Sequence, residues 1–473
     1  MMRQQASQPF HIAVIGGGFS GTMVVAQLIK KSEQPFKITL FDTQGRFAQG
    51  IAYSTACPEH LLNVPAIRMG AWADKPDHFY QWLLQKPEAW HRANSSYEKY
   101  QAEETSFMPR QIYGLYLADQ LQAAVQLGKS KGIEIELLQA EVVDGEFIKS
   151  ADRETIKLHL LNGNSLQVNA AILTLGNMPS KVLSKTGKGI SRLWEDPWKL
   201  LKNEQEIQKL DFLENPQATI VCVGTGLTTV DAIASLHKRD FKGQIIALSP
   251  HGLFPQVHRL GPAWNEYELP SKNFETALQL SRWIRQLVQK AKGSGINWRS
   301  VIDGLRPVTQ KFWQALPDEE KKKATRRLLT WWNVHRHRMP PESAAILEKW
   351  KVEGRLKIIQ GRCVDVKEDV LLTVLYQQGR QIKSLENVSI VLNCTGPDFS
   401  SLTHPLIKNL LEKEVMVWHS AGMGIQLTQS NGPWHLMGPL QMGELLETTA
   451  IPELRQQAAL TADRCLEYLR QID

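Results

Sequence analysis

Short runs of apolar residues, each closed by a glycine-rich turn, set the rhythm of the chain. His11–Ile15 is one such run and predicts a β-strand, ending in Gly16-Gly17-Gly18-Phe19-Ser20-Gly21. From Thr22 to Lys30 the apolar residues Met23, Val24, Ala26 and Leu28 suit a helix packed on a sheet. A second strand, Lys37 to Phe41, stops at Asp42. The grammar returns further on, with a strand at Ala218–Val223, the turn Gly224-Thr225-Gly226, a helix over Leu227–Leu236 and a strand over Gln244–Leu248. Two more apolar strands end in similar turns, Thr174-Leu175-Gly176 and Cys394-Thr395-Gly396. Between Pro255 and about Lys351 the chain becomes helical and rich in Trp, Lys and Arg, which predicts a helical insert over about 255–350. No low-complexity tract interrupts the chain.

The strand–turn–helix–strand frame turns the Gly16–Gly21 pattern into a dinucleotide fingerprint. Gly16 permits the tight turn, Gly18 lets backbone approach a diphosphate, and Gly21 brings helix and strand together. Asp42, 26 residues after Gly16, is placed to accept hydrogen bonds from a ribose. The second fingerprint keeps two glycines and has Thr229 where the third belongs, so it is the weaker match. Gly224, Thr225, Gly226, Leu227 and Thr228 are its candidate phosphate contacts. At the end of its second strand, Ser249-Pro250-His251 carries no carboxylate to repel a 2′-phosphate. Ser249 and His251 therefore point to NADPH, with NADH as the alternative. Asp231, one turn into the helix, reads as a local structural residue. The Trp residues of the insert read as core. Trp331-Trp332-Asn333-Val334-His335-Arg336-His337-Arg338 reads as a helix end before Pro340, or else as an anion site.

The composition is that of a globular chain of 473 residues, with 42% hydrophobic and 22% charged residues. Fifty-five Lys and Arg against 48 Asp and Glu leave +7, too mild for a nucleic-acid footprint. The five cysteines (Cys57, Cys222, Cys363, Cys394, Cys465) form no CxxC pair, which argues against a zinc knuckle or a redox disulfide and for a reducing compartment. No apolar run reaches the roughly 20 residues of a membrane helix. The start of the chain reads as a polar lead, so the expected location is the cytoplasm. No metal site is expected.

Glycine spacing alone does not separate FAD from NAD. The order of the two fingerprints does: the second interrupts the first, as in two-dinucleotide flavoproteins of the glutathione-reductase type, which the chain resembles over nearly its whole length. Closer strings are Gly50-Ile51-Ala52-Tyr53-Ser54-Thr55, His60-Leu61-Leu62-Asn63-Val64-Pro65-Ala66, Met69-Gly70, Pro109-Arg110-Gln111-Ile112-Tyr113-Gly114, and Gly438-Pro439-Leu440 through Glu447–Arg455. In these the chain resembles the bacterial FAD/NAD(P)-binding protein family, which includes flavin-dependent urate hydroxylases and amine-oxidising monooxygenases.

The resemblance implies an α/β fold of two Rossmann-type units with the helical insert in the second. Residues 1–215 and 361–473 then form a discontinuous FAD-binding domain, and 216–360 the NAD(P)H-binding domain. It places Gly16, Gly17, Gly18, Phe19, Ser20, Gly21, Asp42, Arg46, Gly50, Asn63, Gly176, Gly396, Gly438 and Gly443 around FAD. Asn63 is read either as a ring-edge or substrate contact or as a turn residue before Val64-Pro65. The implied activity is that of an NAD(P)H-dependent monooxygenase hydroxylating a small molecule through a flavin C4a-hydroperoxide. Against the better-known classes, the FxGxxxHxxx(F/Y) string of Baeyer–Villiger enzymes and the Gly-Asp motif of aromatic hydroxylases are absent. An oxygen-independent reductase or dehydrogenase and a non-catalytic flavin scaffold or redox sensor stay open, as do the substrate and the oligomeric state.

Overall fold

His11–Ile15 is apolar at every position from Ile12 onward because both of its faces are covered, and it is a central strand of a parallel sheet. A computed structural model describes residues 9–87, 90, 100, 102–149, 154–185, 189–201, 210, 212–399, 404–429 and 432–472. The polar lead over residues 1–8 lies outside the described residues.

Two five-stranded parallel sheets carry the molecule. The first runs Trp434–Leu436, Ala170–Leu173, His11–Ile15, Lys37–Asp42, Glu134–Gln139. The second runs Leu356–Gln360, Gln244–Ser249, Thr219–Val223, Ile390–Asn393, Leu193–Trp194. Four strands follow the same order in both, and the fifth, at the edge, comes last along the chain in the first sheet (Trp434–Leu436) and first in the second (Leu193–Trp194). From the strand that bears the glycine turn, each sheet grows outward on one side by two parallel crossovers. On the other side it is completed by a strand that arrives after an antiparallel three-stranded sheet. That small sheet is Val142–Lys149, Glu154–Leu160, Ser165–Val168 in the first unit and Arg362–Glu368, Leu372–Gln378, Gln381–Val388 in the second.

The second unit therefore reaches beyond the expected limits of 216–360. Val366, Leu372, Val374 and Val388 of the small sheet bury against Val221, Val223 and Leu248, and Leu193–Trp194 and Ile390–Asn393 are strands of the second sheet. Apolar faces decide this: those strands have a packed partner only there.

Helices Phe19–Lys31, Arg110–Ser130 and Ile451–Ile472 pack together on the first sheet, with Met23, Leu28, Tyr113, Leu117, Ala458 and Cys465 in one core. The expected insert is present as five helices, Ala277–Gly293, Trp298–Gly304, Arg306–Ala315, Asp318–Arg327 and Leu329–Arg336, before Pro341–Val352 returns to the second sheet. The two links between units run side by side, Ser180 bridging Pro397 and Asp398 N–H donating to Pro179 O. Among the described residues no helix is long and apolar enough to cross a membrane.

Candidate active site

The first fingerprint is held from behind by the neighbouring strand. Gly16 adopts φ +116°, and a Cβ there would lie 2.3 Å from Thr174 O. Thr174 Oγ1 donates to Ile15 O and Gly16 O (3.0 and 2.8 Å), an anchor that the glycine pattern does not reveal. A Cβ on Gly21 would stand 1.9 Å from Gly16 O, so this glycine is set by the helix lying on the strand. Gly18 differs: the nearest heavy atom to its added Cβ is Gly50 Cα, at 3.5 Å. The two glycines face each other and leave bare backbone at the N-terminus of Phe19–Lys31. The first N–H groups of such a helix have no intrahelical acceptor and bind anions.

Asp42 is half-committed. Its Oδ1 accepts from Gln44 N (2.9 Å) and Arg46 N (3.1 Å), while Oδ2 lies beside Gly17. That orientation leaves one carboxylate oxygen for ribose hydroxyls. Arg46 is exposed on the same loop, and Ala48 N–H donates to Gly17 O at 2.7 Å, closing the loop over the fingerprint. Gly438 (φ +88°) completes the group, since an added Cβ would stand 3.3 Å from Ser20 Oγ. Its own N–H is taken by Gln457 Oε1 (3.1 Å), so this amide serves the fold rather than a ligand.

Other expected flavin residues sit elsewhere. Gly443 is packed against Met423 O and the His419 ring, where a Cβ would stand 2.2 and 2.5 Å away, and its carbonyl accepts from Trp313 Nε1. It is a packing glycine. Gly396 (φ +82°) follows a strand of the second sheet, the counterpart there of Gly176 (φ +73°) in the first. Asn63 lies half-buried in the bend before Val64-Pro65, with its carbonyl accepting from His258 Nε2 (2.9 Å).

The second fingerprint repeats the first. Gly224 (φ +117°) abuts Cys394 O, while Gly226 has nothing within 4 Å of an added Cβ, at the start of Leu227–Lys238. Leu227 and Thr228 follow in that first turn, partly exposed. Thr229 occupies the third glycine's position without loosening the turn: it is fully buried and its Oγ1 donates to Gly224 O (2.8 Å). Ser249 is 8% exposed, and its hydroxyl accepts from Thr225 Oγ1 and Gly252 N (3.0 Å each). It holds the turn instead of standing free for a phosphate. His251 is exposed and its ring meets Trp331 at 6.0 Å.

Asp231 is not local. It pairs with Arg110 across the seam between the units, N–O 2.9 Å, with both side chains nearly buried. Burial pushes its carboxyl up to about 6 against the pull of the guanidinium. Beside it, fully buried His60 bonds Thr55 Oγ1 through Nδ1 (2.7 Å) and Ser235 Oγ through Nε2 (2.6 Å). The strings around His60 and Arg110 are thus the seam by which the first unit grips the helix of the second fingerprint.

The anion reading of His335–Arg338 fails for its arginines. Arg336 is buried between Glu447 and Glu453 (3.4 Å each), and Arg338 pairs with Asp303. Among the described residues no metal-ligating cluster occurs.

A family model described as FAD-NAD(P)-binding matches residues 13–178. No curated protein sequence matches the chain. Among solved structures, the reduced form of an ornithine hydroxylase from Pseudomonas aeruginosa aligns with 98% of this chain and 100% of its own, at 13% identity and TM-score 0.62. An ornithine N-hydroxylase from Kutzneria sp. 744, with reduced FAD, NADP+ and L-ornithine, aligns over the same shares at 13% identity and TM-score 0.61. The bacillithiol disulfide reductase of Staphylococcus aureus aligns with 98% of this chain and 99% of its own, at 11% identity and TM-score 0.54. At these identities the likeness concerns the fold. The chain carries an FAD-NAD(P)-binding domain at residues 13–178 within the fold of two-dinucleotide flavin oxidoreductases.

Proposed function

We propose that this protein is an FAD- and NADPH-dependent monooxygenase that inserts one oxygen atom into a small molecule. The observation that carries the reading is the repetition of one four-strand order, with an open glycine turn at the same strand in each unit, Gly18 in the first and Gly226 in the second. The first cradle fits FAD: bare backbone at Gly18 and Gly50, helix amides at 18–21 for the diphosphate, and a ribose-ready oxygen on Asp42. The second fits NADPH, because no carboxylate stands at 249–251.

Held by the backbone at Gly18 and Gly50 and by Asp42, FAD would supply the redox and oxygen chemistry, and the protein's own part would be to bind, orient and exclude water. Phe19 and Tyr113 stack at 6.5 Å behind the first helix turn, and Tyr53 meets Tyr113 at 4.8 Å. Burial raises both phenols well above their ordinary range, which makes this layer a neutral wall rather than a proton relay. The Arg110–Asp231 pair and His60 hold the two units in a fixed relation at the seam.

Thiol chemistry of the disulfide-reductase kind is disfavoured. A hydrogen bond to Cys394, together with burial, raises the Cys222 thiol well above its usual value. Burial also raises Cys57, lifts Cys363 to about 11 and lifts Cys465 to about 12. Thiolates are the reactive form, and each of these sites opposes them. Free thiols of this kind also support a reducing compartment, hence a cytoplasmic protein.

The test is reduction of the purified yellow protein by NADPH, with and without oxygen. A monooxygenase consumes dioxygen with NADPH and releases peroxide when no substrate is present. Reduction that leaves dioxygen untouched and needs an added acceptor overturns the reading.

A further inference from the structure

The helices of the insert frame a half-open cavity of about 560 Å³, within the range that holds a drug-sized ligand. The walls are aromatic and aliphatic, chiefly Trp283, Trp298, Phe312, Trp331, Trp332 and Leu280. The apolar residues of the insert form two clusters, one around Trp313 and Leu316 and one around Trp264 and Leu287, which meet where Trp283 packs on Phe274 and Phe312 (5.5 and 5.3 Å). Trp283 and Trp332 stay half-buried and Trp331 is 48% exposed, so large rings are left with uncovered faces.

The position matters as much as the shape. Leu446 closes one side of the cavity, eight residues after Gly438, which stands against Ser20 of the first fingerprint. The segment between them fixes two wall rings, since Trp313 Nε1 donates to Gly443 O (2.7 Å) and Trp332 Nε1 to Glu447 Oε1 (2.7 Å). On the other side Trp331 meets His251 at the end of the second unit's strand. The cavity thus borders the end of the second unit's strand at Trp331, and its wall is anchored to the 443–447 segment of the first unit.

Its charge is one-sided. No Asp or Glu lines it, and its ionisable groups are Arg285 and His335. Arg285 pairs with no carboxylate among the described residues. His335 donates Nδ1–H to Trp331 O (2.8 Å), so Nε2 of the neutral ring is an acceptor and Arg285 is the cation left for an anion. Two carboxylates bond the wall from outside: Glu447 is spent on Trp332 and Arg336, and Glu320 on Ala277 N and Lys323.

We propose that this cavity is the substrate site, and that it takes a small molecule with an apolar acyl or aromatic body and an anionic head, the head at Arg285. A short polar amino acid such as ornithine finds too few polar partners there. The proposal deepens the monooxygenase reading and rests on it for the word substrate; the binding site itself does not.

The probes are laurate and dodecylammonium, equal in chain and opposite in charge, titrated by calorimetry into the FAD-loaded protein below their micellar concentrations. Laurate is expected to bind saturably in the micromolar range and dodecylammonium at least tenfold more weakly. Ser281→Trp and Thr325→Phe, which fill the cavity from two helices, are expected to weaken laurate at least tenfold while flavin content and reduction by NADPH stay unchanged. Arg285→Gln should remove the preference for the anion. No saturable laurate binding, equal affinity for the two probes, or unchanged affinity in a filled variant that retains its flavin overturns the proposal. Should the protein be colourless and unable to take up FAD yet bind laurate, the flavin reading falls and the cavity stands; a yellow protein that ignores laurate gives the reverse.

Discussion

Glycines of one motif have unequal tasks, and substitution separates them. An added Cβ on Gly18 meets only ordinary contact with Gly50 Cα at 3.5 Å, and one on Gly226 meets nothing within 4 Å. Gly18→Val should therefore fold yet purify without flavin, because the added methyls occupy the diphosphate's place. A normal yellow spectrum in that variant would refute the site. Gly226→Val should keep its flavin and be reduced by NADPH at least tenfold more slowly, as stopped-flow absorbance would show. Gly21→Ala is the contrast: its Cβ would stand 1.9 Å from Gly16 O, so helix and strand must part. That variant should be depleted from the soluble fraction, and soluble protein with an unchanged melting temperature would argue against the packing.

At the scale of elements, the seam includes a buried ion pair between Arg110 and Asp231. Arg110→Ala leaves Asp231 buried without its partner, which costs on the order of 3–5 kcal/mol. The urea midpoint of the variant should fall accordingly, and most of the loss should return on adding Asp231→Asn. An Arg110→Ala variant within 1 kcal/mol or so of the parent would show the pair to be replaceable by water. The strand-level pattern was legible without coordinates. Apolar runs and glycine turns mark both fingerprint frames within three residues of their observed limits. The extent of the second unit was not legible, because Leu193–Trp194 is too short to carry a pattern and Val366, Val374 and Val388 would suit a core on either sheet.

For the whole molecule, histidines held neutral by packing lower stability in acid, three of them with large shifts. His11, His258 and His435 are each pushed down to about 4, chiefly by burial. Their ordinary value is 6.5, so the unfolded chain binds more protons than the native one between those limits. Stability from this source is full above pH 6.5 and is lost as the pH falls toward 4. His435, 5% exposed, contributes up to about 3 kcal/mol, the worth of a shift of this size. Asp231 acts in the opposite sense over roughly the same window, since its carboxyl is pushed up to about 6. Three histidines outweigh one carboxyl, so the melting temperature should fall from pH 6.5 to pH 4. His435→Asn should flatten the slope, and a melting temperature independent of pH in that window would contradict the burial of these rings.

From the sequence alone came the two nucleotide frames, their order and the helical insert, because glycine turns and apolar strands are local signals readable one window at a time. The motif also assigns Gly16, Gly18 and Gly21 their separate tasks. The task of a glycine outside it had to come from tertiary structure: only the atoms around Gly443 set it against Met423 O and His419. Asp231 and Arg110, 121 residues apart, were joined by the docking of two sheets, and the aromatic cavity was framed by the packing of helices from across the insert. Long-range packing leaves no period in a sequence, since it depends on which surfaces face each other once the local elements have formed.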